Sequence, residues 1–159
     1  MGVESWSVEF GQDDGTTGVM RLELHRADGR SSFLAELVVP DRGVYVVRDD
    51  EVPLPRGRAL EVRADSLWAE MVCETPSVHW SFGLEAFGLR FDDLEEARTA
   101  DWGERVAVGL DLEWEATNTV VQDAVGEGYR QDGVVHGELL LGPARVSLDG
   151  TGVFAHTPT

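Results

Sequence analysis

The chain has 159 residues, 42% of them hydrophobic, with 30 acidic and 13 basic side chains and a net charge of -17; this suits one domain, residues 1–159, with a sizeable core. The negative field repels nucleic acid and anionic membrane surfaces, and neither is expected as a partner. A single cysteine, Cys73, excludes an internal disulfide and zinc sites built on paired cysteines.

The first ten residues, MGVESWSVEF, lack the basic and apolar segments of a secretory leader, and no run is long enough to span a bilayer, which predicts a cytoplasmic protein. Beyond this start, 18 glycines and 6 prolines divide the chain into short alternating pieces, the pattern of an antiparallel all-β protein. Strands are expected over 4–10, 18–25, 32–39, 44–48, 60–64, 67–74, 79–86, 89–92, 105–115, 134–141, 144–148 and 152–156. Met20, Leu22 and Leu24 are offset from Arg21, Glu23 and His25. Val106, Val108, Leu110, Leu112 and Trp114 are offset from Asp111, Glu113 and Glu115. A one-residue slip would throw either set to the wrong face, so register is well specified.

Turns are expected at Asp13-Asp14-Gly15, Asp28-Gly29, Pro40-Asp41-Arg42-Gly43 and Asp149-Gly150, where Asp bonds its own backbone and Gly accepts positive φ. Two prolines make 52–57 a loop. One short helix is expected over Asp92–Arg98, with an Asp cap, acids in its first turn and Arg near its end. The stretch 118–132 is assigned no element. This pattern leaves an up-and-down barrel able to hold one ligand, or a β-sandwich filled by its own side chains. The ring-rich strands and many glycines favour the barrel.

The candidate chemistry lies mostly in 67–93. Trp80, Phe82 and Leu84 alternate with His79, Ser81 and Glu85, giving one face of rings and one polar face. Rings and carboxylates on neighbouring strands suit an apolar small molecule. Trp68, Trp80, Phe82 and Trp114 are candidate ligand contacts, or plain core. Glu70, Glu85 and Tyr129 are the candidate catalytic donors of a proton or hydrogen bond, since a carboxylate enclosed by apolar groups titrates nearer neutrality. An outward glutamate on a solvated face is the competing reading, and both faces of 67–74 are mixed. If the rings face in, His79 faces out. His136 reads as a structural histidine or a ligand contact. The four histidines (25, 79, 136, 156) lack close metal-ligand spacing, so no metal is expected. Nucleotide-binding glycine motifs and a GxSxG elbow are absent from the sequence, so no cofactor is expected.

The runs DDEVPLPRG (49–57), LWAEMVCETPSVHWSFGLEAF (67–87), GERVAVGLDLEWE (103–115) and VVHGELLLGPARVSLDGTG (134–152) resemble an uncharacterised actinobacterial family of lipocalin-like proteins related to carotenoid 1,2-hydratase and the AttH-like proteins. The resemblance covers nearly the whole chain and implies the first of two barrels. The family's junction pattern, Asp-Gly-x-Gly-x-Arg-Asp-His-x-Trp, is matched here at Asp149, Gly150, Gly152 and His156, while Phe154, Ala155 and Pro158 replace its arginine, aspartate and tryptophan. It implies an exposed docking face and hence a homodimer, and a bulky apolar substrate such as a polyketide or isoprenoid. The expected function is cofactor-free cyclisation, isomerisation or hydration; the alternatives are a carrier without chemistry and an accessory subunit.

Overall fold

The computed structural model describes residues 2–57, 59–118, 121–122 and 128–158. In chain order it contains β1 (Glu4–Gly11), β2 (Thr17–His25), β3 (Arg30–Val39), β4 (Gly43–Pro53), β5 (Leu60–Ala64), β6 (Leu67–Thr75), β7 (His79–Phe91), helix α1 (Leu94–Thr99), β8 (Glu104–Ala116), β9 (Val121–Gln122), β10 (Tyr129–Leu141) and β11 (Ala144–Thr157). All pairings are antiparallel, and the sheet runs β4-β3-β2-β1-β11-β10-β8-β7-β6-β5. An added β4–β7 pairing closes eight of these strands into a ring. This is the up-and-down barrel, and the sandwich is set aside.

Closure by β4 and β7 is brief. Val44–Val46 pair with Leu89–Phe91; beyond that the two strands part, and the β5–β6 hairpin enters between them with β6 bonded to β7. One end of the barrel is therefore walled by the eight ring strands. The other also takes in β5 and β6, and barrel width grows with strand number. The wide end carries the start of β1 at Glu4 and the end of β11 at Thr157, and the narrow end carries the β3–β4 turn.

Alternation sets which side chains fill the barrel. Val8, Met20, Leu22, Leu37, Leu84, Leu112, Leu139, Leu148 and Phe154 belong to one continuous buried cluster. The turns follow their chemistry. Gly29 adopts φ 68° after a 3-10 turn at Arg26–Asp28, Asp14 accepts from the Thr16 N–H at 2.9 Å, and Asp41 takes φ 66°. Helix α1 is capped by Asp93, which accepts from the Glu96 N–H at 2.8 Å. Arg98 ties the helix to Glu36 on β3 at 3.1 Å. Among the described residues no helix is long and apolar enough to cross a membrane.

Several boundaries differ from expectation. β10 starts at Tyr129, inside the stretch assigned no element, and the short β9 pairs with it there. The segments 79–86 and 89–92 form one strand, β7, in unbroken register with β8. The change of apolar phase at Gly88 is therefore no break. Leu89 and Phe91 lie on the outer side of β7, and Phe91 is buried beneath the chain around Gly103. The expected turn at Asp149-Gly150 is also absent. β11 runs straight through it, because Gly150 is a point of close approach: a Cβ there would sit 2.0 Å from the Gly11 carbonyl oxygen. Finally, β4 continues to Pro53 across part of the expected loop.

Candidate functional site

The inward residues of the wide end form an aromatic and polar cluster across the neighbouring strands β1 and β11. On β1, Glu4, Trp6, Val8 and Phe10 share the inner face; on β11, Phe154 and His156 do so. Trp6 and His156 are direct register partners. Their rings stack at 4.8 Å with 13° between planes. His156 Nε2 lies 3.0 Å from Glu4 Oε2, and Arg26 donates to Glu4 Oε1 at 2.9 Å. Both carboxylate oxygens are thus engaged.

Electrostatics fix the protonation of this group. Partial burial pushes the Glu4 carboxyl up. The hydrogen bonds and charges of His156 and Arg26 outweigh that effect and hold it below its ordinary range. Glu4 is therefore ionised at neutral pH and can only accept, so the proton in its contact with His156 sits on Nε2. Nδ1 remains to accept or deliver a proton. The side chains of Glu4 and His156 are 19% and 23% exposed, sheltered but within reach of solvent.

Tyr129 pairs with His156 across β10 and β11, and its ring stands edge-on to the imidazole at 5.9 Å. Burial, reinforced by Cys73, raises the Tyr129 hydroxyl above its ordinary range, so it is a donor at neutral pH. Partial burial and the Glu74 charge raise the Cys73 thiol likewise, which leaves it a poor nucleophile. Phe154 is the hub of the rings beneath. It lies 4.5 Å from Trp80, 5.5 Å from Trp114, 5.9 Å from Tyr129 and 6.3 Å from Phe82. Trp114 Nε1 donates to the Gly152 carbonyl at 3.1 Å, so this fully buried indole keeps a partner.

The structure brings together Trp80, Phe82, Trp114 and Tyr129 of the sequence candidates. It does not bring Trp68, Glu70, Glu85 or His136 to them. On β6 the inward positions are Leu67, Ala69 and Met71, so Trp68 and Glu70 face out; Trp68 lies over Gly83 and donates to Glu61 at 3.1 Å. Glu85 is exposed on the outer face of β7, one residue out of phase with Leu84. His136 is exposed on β10 opposite Glu113 and Asp149. A carboxylate on the solvated side gains no protection from the rings, so Glu70 and Glu85 do not have the enclosed environment expected of them. His79 also faces out, 2.6 Å from Glu113. The described residues contain no group of three potential metal ligands.

Glu4, Trp6, Phe154 and His156 were not among the candidates. Alternation in 4–10 marks Trp6 as an inward residue, but its partner lies 150 positions away along the chain, and only the pairing of β1 with β11 brings them together. Comparison with family models and with curated protein sequences gives no match.

Proposed function

We propose that the wide end binds an apolar small molecule and that His156, held by Glu4, moves a proton on it. The reaction class is a cofactor-free isomerisation, cyclisation or hydration of a polyketide- or isoprenoid-like substrate. One observation carries this reading: an ionised carboxylate, an imidazole and a phenol converge on the same ring-lined end of the barrel. The Arg26–Glu4 contact keeps the carboxylate charged, and Glu4 orients the imidazole, so Nδ1 is placed for general acid/base work. Tyr129 supplies a hydrogen bond to a developing oxyanion or to a departing oxygen. Trp6, Trp80 and Phe154 give an apolar chain a surface to fold against, and holding a reactive conformer removes part of the barrier.

A second reading, binding without chemistry, is favoured by the outward placement of Glu70 and Glu85, which removes two of the three expected proton donors from the rings. One experiment separates the two. Purified protein is incubated with a lipophilic cell extract, and bound and free fractions are read by mass spectrometry. Catalysis predicts a species depleted beyond stoichiometry, with a product of equal or water-shifted mass, and loss of that turnover in His156→Gln and Tyr129→Phe. Stoichiometric retention of an unchanged compound selects binding alone. Retention of nothing apolar overturns both readings.

A further inference from the structure

One polar side chain at the wide end has no use in the scheme above. Gln131 is 2% exposed. It lies on the inner face of β10, between Tyr129 and Gly133, and is the register partner of Phe154. Its Nε2 donates to two backbone carbonyls, Ser77 in the β6–β7 turn and Asn118 just after β8, each at 2.8 Å. This double donation fixes the amide, because a flip would place Oε1 against two carbonyl oxygens. The amide oxygen is thereby directed away from both carbonyls, and it accepts no hydrogen bond from the described residues. A buried acceptor left in this state is costly, and a donor that reaches it recovers that cost.

The surroundings narrow which donor fits. The rings of Phe154, Tyr129 and Trp114 cluster beside this stretch of β10; a Cβ on Gly133 would sit 2.4 Å from the Trp114 indole nitrogen. A ligand that reaches Gln131 must therefore bring an apolar body with a small polar head. Charge removes one class of head. Glu4 is ionised on the same inner wall, and the whole chain carries -17, so a carboxylate or phosphate meets repulsion and also offers the amide oxygen no proton.

Resting on the binding reading above, we infer that the ligand is an uncharged apolar alcohol or amide whose O–H or N–H donates to Gln131 Oε1. Gln131 then acts as a specificity residue. It selects a donor-bearing isoprenoid- or polyketide-like molecule over its ether and over its acid. It moves no proton, because its amide does not titrate.

Three matched probes test this: farnesol, its methyl ether and farnesoic acid, each titrated against intrinsic tryptophan fluorescence at neutral pH. A donor lost opposite a buried acceptor corresponds to about ten-fold to a hundred-fold in affinity. Farnesol is therefore expected to bind at least ten-fold more tightly than either of the others, and Gln131→Met to bring farnesol down to the level of the ether. The wild-type comparison stands without the variant, so a folding defect in Gln131→Met leaves the test intact. All three probes binding within two-fold of each other would overturn the Gln131 assignment while leaving the binding reading in place. A preference for farnesol that persists in a folded Gln131→Met protein would also overturn it, by showing a different acceptor. Failure of all three to bind at their solubility limits would overturn both.

Discussion

The two ends of the barrel are closed by different means. At the narrow end the backbones themselves come together. Val44–Val46 pair directly with Leu89–Phe91, and a Cβ on Gly88 would meet the Val46 carbonyl oxygen at 2.5 Å. Arg90 then crosses the rim and donates to the Arg42 carbonyl at 2.7 Å and to Asp92 at 3.2 Å. At the wide end the inserted β5–β6 hairpin keeps β4 and β7 apart, and Trp6, Trp80, Tyr129 and Phe154 meet there with Glu4 and His156 at the rim. A cleft of about 690 Å³ at the narrow end is lined by the β3–β4 turn, Arg90 and the start of α1, and it holds none of these rings. Backbone closure leaves that cleft without an aromatic lining. Closure by side chains places titratable groups against an apolar surface.

The largest expected effect is at the wide end. Trp114→Ala empties a fully buried site beneath Phe154 and is expected to cost about 3–5 kcal/mol, read from the urea midpoint at constant m. Gly88→Ala tests the narrow end. The added methyl must displace the Val46 carbonyl, at about 1–3 kcal/mol; a neutral result would show that backbone closure there is loose.

Glu4→Gln probes the pair that links β1 to β11. The folded carboxyl lies below its ordinary range, so its contribution is fully present above the unfolded value, about 4.3. It is lost as pH falls through the folded value. Wild type is expected to exceed the variant by about 1–2 kcal/mol at neutral pH, with the gap closing in the acid range below about 4. A gap that stays open at the acid end of that range would refute the ionised assignment. The smallest effect is expected for Glu85→Gln on the outer face, within about 0.5 kcal/mol of wild type, with no change in ligand binding.

The same comparison shows what the amino-acid pattern reveals. Period-two alternation is a local property, and it marks the apolar sets Met20–Leu24, Trp80–Leu84 and Val108–Trp114, whose large side chains are buried. The phase of Glu85 against Leu84 follows from it as well. It did not resolve β6, where Trp68 and Leu67 compete for the inner face; Leu67 takes it, while Trp68 covers Gly83 outside. Asp149-Gly150 carries turn chemistry in a straight strand, because a glycine needed for close approach to Gly11 looks the same in sequence as one needed for positive φ. The site itself was half legible. Tyr129, Trp80, Phe82 and Trp114 stand on alternating strands, whereas Glu4, Trp6, Phe154 and His156 become a unit only when β1 meets β11.

The most direct test uses the indole N–H resonances of the five tryptophans, assigned by substitution and followed by NMR during titration with farnesol. Binding at the wide end predicts shifts at Trp6 and Trp80, while Trp68 on the outer face and Trp102 on the exposed segment after α1 stay still. Shifts at Trp68 or Trp102 with Trp6 and Trp80 unmoved would place the ligand on the outside of the barrel and contradict the wide end as its site.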